Sequence, residues 1–190
     1  MARKKLPDGP TASVRERLLD TADKLFYEEG VLSVGIDRVL AEAGAAKASL
    51  YCHFGCKDEL VAAHIERRIA LARAQIEACV ADTPPAQRAL RFFDWVVTWA
   101  ASPDFHGCPM QHITAELSDP DHPARKAAAG QRKWLQAKFL EWARAAGVGS
   151  PTAVAGALLV IFDGAVAASE QDGPQRARDA RWLAERLLKG

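Results

Sequence analysis

The chain has 190 residues, with 25 Lys and Arg against 24 Asp and Glu, a net charge of +1, and 49% hydrophobic residues. This composition fits a folded globular chain, long enough for one domain or for a small domain beside a larger one. A near-zero net charge excludes a global attraction for nucleic acid, and no apolar run reaches the roughly 18 to 20 residues that a membrane span needs.

Ala, Leu, Arg and Glu dominate and β-branched residues are sparse, which predicts an all-α fold. Residues 1–12 hold the basic "MARKK" with Pro7, Gly9 and Pro10, and are expected to be a disordered basic arm. Ser13 and Glu16 form an S-x-x-E capping box that opens the first helix. Val14, Leu18, Leu19, Ala22, Leu25 and Phe26 give it an apolar face, and Gly30 ends it. Ile36, Val39, Leu40 and Ala43 mark a short second helix ended by Gly44, with Ser33 as its expected cap. A third short helix is predicted over residues 47–53. A long fourth helix starts near Lys57 and is ended by the "DTPP" of residues 82–85.

An aromatic-rich amphipathic helix follows Pro85, and a loop over residues 102–109 leads to a short helix at 110–117. A Pro-rich break precedes a long helix at 124–146. Ser150 and Pro151 mark the cap and first turn of the next helix, which reaches about residue 170. A last helix is predicted over 175–188, making about nine in all. The longest apolar run, residues 153–168, is interrupted by Asp163 and reads as a buried or interfacial helix.

The four cysteines, Cys52, Cys56, Cys79 and Cys108, are scattered through a helical chain for which no signal peptide is expected. Disulfides are not expected, and a reducing cytoplasm is the expected location. The stretch "LYCHFGC" (residues 50–56) has Cys and His at spacings that suggest a metal site at first reading.

The pattern around that stretch points elsewhere. A short helix, a Gly44 turn and a second short helix form a helix-turn-helix signature. Leu50 and Phe54, four apart, supply the inward face of the third helix. Lys47, Ala48, Ser49, Tyr51, Cys52 and His53 are small, polar or amphipathic, as a helix entering a major groove about 12 Å wide requires.

Residues 18–61 resemble the DNA-binding domain of the TetR family of transcriptional repressors. The resemblance rests on Ala22, Leu25, Phe26 and Gly30, then Val39, Leu40, Ala43 and Gly44, then Leu50, Tyr51, His53 and Phe54, then Lys57 and Leu60. The "GCP" at residues 107–109, followed by "DPDHP", resembles the ligand-domain pattern of one branch of that family. The resemblance implies a three-helix helix-turn-helix domain over 13–56 and a larger helical ligand-binding and dimerisation domain over 57–190. It implies that Tyr51, His53 and Lys57 contact phosphates, with Lys57 aided by the helix dipole. Lys47, Ala48, Ser49 and Cys52 would face bases, Lys47 being suited to guanine. Two departures stand out. Gly35 replaces the usual Thr or Ser, and Ala45 and Ala46 replace the common Val-Ser. Cys56 occupies the cap position of the fourth helix, where a thiol is a weak acceptor. For Arg38, a surface salt bridge with Asp37 or Glu42 is expected rather than base contact.

One recognition helix reads only a few base pairs, and two related by a twofold axis reach grooves about 34–36 Å apart. A homodimer is therefore expected, through the last two helices, where Gly156, Ala157, Gly164, Ala165 and Ala168 permit close approach and Trp182, Leu183 and Leu187 add an apolar stripe. The aromatic set of the larger domain suggests a small-molecule inducer site. Its expected residues are Phe92, Trp95, Trp99, Cys108, His112, Trp134 and Phe162. Cys108 at a helix start is expected to have a lowered pKa and to respond to thiol-reactive signals.

The expected function is a ligand-responsive repressor that binds a palindromic operator in double-stranded DNA, with no membrane partner, no cofactor, no metal and no enzymatic activity. The competing readings are a small helical metal-binding protein or enzyme using His106, Cys108, His112 and His122, and a helical adaptor. No Glu/His metal pair at helical spacing, phosphate loop or nucleophile elbow supports the former.

Overall fold

The computed structural model describes residues 13–189, so the basic arm expected at residues 1–12 lies outside them. Among the described residues there are nine α-helices and no strand. They are α1 (Val14–Glu29), α2 (Ile36–Ala43), α3 (Lys47–Phe54), α4 (Lys57–Val80), α5 (Arg88–Ala100), α6 (Pro109–Glu116), α7 (Pro123–Ala145), α8 (Pro151–Asp172) and α9 (Gln175–Lys189). A single 3-10 turn at Pro85–Gln87 precedes α5.

Two compact units divide the chain between His64 and Ile65. The start of α4, with the buried Leu60, Val61 and His64, belongs to the smaller unit.

In the smaller unit, α1 opens on the predicted capping box. The Ser13 amide donates to Glu16 Oε2 at 2.8 Å, and the Glu16 amide to Ser13 Oγ at 3.2 Å. Leu18, Ala22, Leu25 and Phe26 form its buried stripe. The expected Ser33 cap of α2 is not formed. The N-cap is Gly35, which makes no side-chain bond, and Ser33 is exposed. Gly44 closes α2 at φ 60°, the left-handed conformation that glycine adopts without steric penalty. Its amide bonds Leu40 and Ala41 carbonyls, and the chain turns directly into α3.

In the larger unit, the core is built on aromatic rings. Phe92 meets Phe93, Trp95, Phe139, Trp142 and Phe162 at centroid separations of 5.1 to 6.0 Å. These are edge-to-face and tilted contacts, each contributing roughly 0.5–1.5 kcal/mol beyond area burial. Helices α8 and α9 pack on one another and on α5. Ser150 stands at the N-cap of α8, but its side chain makes no capping bond. Its carbonyl accepts from Val154 instead. The α7 cap is His122, whose Nδ1 accepts the Ala124 amide at 3.1 Å, a role its sequence context did not suggest.

Candidate nucleic-acid interface

Helix α3 is eight residues long and has no side-chain cap at its start, so it is marginal by itself. Leu50 and Phe54 hold it in place by burial, and the Arg15 guanidinium lies 5.1 Å over the Phe54 ring. The opposite face presents Lys47, Ala48, Tyr51, Cys52 and His53 to solvent, with Ser49 half-buried. Tyr51 is 53% exposed on this face. The structure thus brings six of the seven expected DNA-contacting residues onto one short helix. Gly55 at φ 73° ends it, and the Cys56 carbonyl accepts from the Leu60 amide to begin α4. Both Cys52 and Cys56 are exposed thiols.

The seventh residue, Lys57, is half-buried. Its Nζ donates to the Val31 carbonyl at 2.6 Å and lies 5.9 Å from the Phe26 ring. One of its three donors therefore ties the start of α4 to the α1–α2 turn. A second tie was invisible in the sequence. His64 Nδ1 donates to Asp23 Oδ1 at 2.8 Å, with the Phe26 ring edge-on to the imidazole at 5.7 Å. Asp23 sits on α1 between the buried Ala22 and Phe26, and a carboxylate at the margin of an apolar stripe was the available signal. On the surface, Arg38 bonds Glu42 at 2.9 Å, as expected, and clamps Glu29 through both terminal nitrogens at 2.5 and 2.7 Å. The Arg38 hydrogen bond draws the Glu29 pKa down. Arg38 is thereby committed to two carboxylates rather than to bases.

The profile described as "Bacterial regulatory proteins, tetR family" matches residues 18–64, from within α1 through α2 and α3 to the start of α4. SCO4454, a TetR-family transcriptional regulator from Streptomyces coelicolor, superposes with a TM-score of 0.88 at 34% identity, covering 93% of this chain and 94% of its own. A TetR-type regulator from Streptomyces avermitilis (sav143) gives 0.85 at 34% identity, over 94% and 97% of the two chains. The chain belongs to the TetR family. The HTH-type transcriptional regulator LmrA of Bacillus subtilis is 32% identical over 116 residues, 60% of this chain. That match spans 62% of LmrA's own length. These TetR-family relatives are transcriptional regulators rather than enzymes.

In the larger unit, several members of the expected inducer set pack against one another. Phe92 is fully buried and Phe162 nearly so, both packed within the aromatic core. Trp95 stacks on Trp99 at 5.4 Å, and Trp99 meets Phe105 edge-on at 5.1 Å. Trp95 and Trp99 are half-buried at the margin of this core.

Cys108 is buried, and burial pushes its thiol from an ordinary 9.0 up to about 11, outweighing the Gln111 and Met110 amides that act to lower it. The lowered pKa expected from its position at the start of α6 is overturned, because desolvation of the thiolate exceeds the helix-end effect. His112 donates from Nε2 to Glu170 Oε2 at 3.1 Å. Gly107 packs against this pair at φ 77°, where an added Cβ would lie 2.3 Å from Glu170 Oε2 and 2.7 Å from His112 Nε2. Among the described residues no group of three or more His, Cys, Asp or Glu side chains is placed to hold a metal ion.

Of the expected set, Trp134 borders a cleft in the larger unit. A cleft of about 610 Å3 runs between α4 and α7. Ala70, Ala74, Ala127 and Gly130 form its floor, with Arg73 and Trp134 as walls.

Proposed function

We propose that the protein is a ligand-responsive transcriptional repressor that binds a palindromic DNA operator as a homodimer in the cytoplasm. The observation that carries this reading is the outward face of α3, where Lys47, Ala48, Tyr51, Cys52 and His53 are all exposed on a helix anchored by Leu50 and Phe54. Tyr51, His53 and Lys57 take phosphates and fix register, while Lys47, Ala48, Ser49 and Cys52 meet base edges.

Dimerisation through α8 and α9 is supported by the apolar surface they leave open. Val160 is 67% exposed, Trp182 54% and Leu183 48%, with Gly156, Ala157 and Gly164 allowing close approach on α8. An inducer bound in the larger unit biases a state with the wrong half-site spacing, and a coupling of about 1–3 kcal/mol suffices to relieve repression several-fold or more.

Selection of bound fragments from sheared genomic DNA tests this. A palindrome with half-site centres about 10 base pairs apart is the expected product. Recovery of fragments with no shared sequence would refute it.

A further inference from the structure

The cleft between α4 and α7 has a charge pattern that the fold itself does not use. Arg73 and Glu77 stand four residues apart on α4, a spacing that brings side chains to about 5–6 Å at Cβ and ordinarily favours an ion pair. They do not pair. Arg73 reaches across to α7, where its Nε donates to Gln131 Oε1 at 2.7 Å and its guanidinium lies 5.1 Å over the Trp134 ring. Gln131 is only 5% exposed, so the group that aims Arg73 is itself fixed by burial. Glu77 is left exposed, and among the described residues no hydrogen bond or ion pair engages it. A fixed cation, Arg73, and two carboxylates on α4, Glu66 and Glu77, thus line one cleft, beside an indole and several small residues.

The floor is informative too. Gly130 lies in the interior of α7, where glycine costs roughly 1 kcal/mol relative to alanine. Nothing lies within 4 Å of where its Cβ would be, so no packing contact requires a glycine there. What a side chain at 130 would occupy is the cleft.

We infer that this cleft binds a zwitterionic α-amino acid with a large apolar side chain, as the effector class for the ligand-responsive role proposed above. The effector's carboxylate meets the terminal nitrogens of Arg73, which offers a planar fork for it. Its ammonium meets Glu77, and its side chain lies on the Ala70, Ala74 and Gly130 floor beside Trp134. Arg73 on one side and the Glu66 and Glu77 carboxylates on the other give a ligand carrying both an anion and a cation a partner for each charge.

Isothermal titration of the full chain with L-tryptophan tests the inference, with tryptamine and N-acetyl-L-tryptophan as probes lacking one charge each. L-tryptophan is expected to bind saturably. Each singly charged analogue is expected to bind about tenfold more weakly, the value of one charge-assisted contact. Arg73→Gln should weaken L-tryptophan by a similar factor and leave tryptamine unchanged, and Glu77→Gln should spare N-acetyl-L-tryptophan. Gly130→Leu, which favours the helix and fills the floor, should abolish binding in a folded protein. Absence of saturable heat at millimolar L-tryptophan would overturn the inference. So would tryptamine or 1,5-diaminopentane binding as tightly, or Gly130→Leu binding normally. Operator binding is measured separately without amino acid, so its failure would sink the repressor reading while calorimetry still decides the occupant of the cleft.

Discussion

Replacing Lys57 with methionine separates two roles that one side chain is asked to play. Methionine retains the apolar stem but removes the ammonium. The 2.6 Å bond to the Val31 carbonyl is a charge-assisted hydrogen bond, worth roughly 1.5–3 kcal/mol. Its half-buried setting favours the lower part of that range. The ring contact with Phe26, at 5.9 Å, adds about 0.5 kcal/mol. Lys57→Met is therefore expected to lose about 2 kcal/mol of stability in the smaller unit, read from urea midpoints. The same variant reports on phosphate contact. If the two remaining donors of each Lys57 engage DNA, the slope of log K against log salt should fall by about 0.9 per recognition helix. A stability loss with an unchanged slope would remove Lys57 from the phosphate set. A changed slope with wild-type stability would show that the Val31 contact contributes nothing.

Three further outcomes follow from the larger unit. Gly107→Ala forces a left-handed residue with a Cβ into the His112–Glu170 pair, so a loss of about 2–3 kcal/mol is expected in chemical denaturation, and a loss below about 0.5 kcal/mol would contradict the packing described. Cys108 binds its proton more tightly folded than unfolded. Its contribution is intact below pH 9 and lost as pH rises toward 11, about 2–3 kcal/mol in all. Cys108→Ala should flatten that part of the pH–stability profile, and iodoacetamide should leave the native thiol unlabelled at neutral pH. Replacing Trp182 and Leu183 together with glutamate should convert a dimer to a monomer in light scattering, and a variant that stays dimeric would place the interface elsewhere.

The helix-turn-helix was readable because its signals are local. A capping box, a Gly44 turn and the Leu50/Phe54 spacing each lie within a few residues, and α1, α2 and α3 form as those signals dictate. The ties that hold these helices together were not readable. Lys57 meets a carbonyl 26 residues away and His64 a carboxylate 41 residues away, and helical periodicity reports a face without naming its partner. The larger unit was less legible. Phe92, Phe139 and Trp142 are all buried, and an aromatic-rich helical pattern describes a lined cavity and a filled core equally well. Phe92 touches five rings, so it is core. For Cys108, position at a helix start pointed one way and burial the other, and burial is a tertiary quantity that the local sequence does not carry.

Hydroxyl-radical footprinting on the selected operator addresses the central claim most directly, comparing the native protein with a variant carrying Lys47→Ala, Tyr51→Ala and His53→Ala. These side chains are exposed, so the variant should keep its helical circular dichroism. The native dimer should protect two patches about one helical turn apart, and the variant should protect neither. Equal protection by both proteins would show that the outward face of α3 does not read DNA.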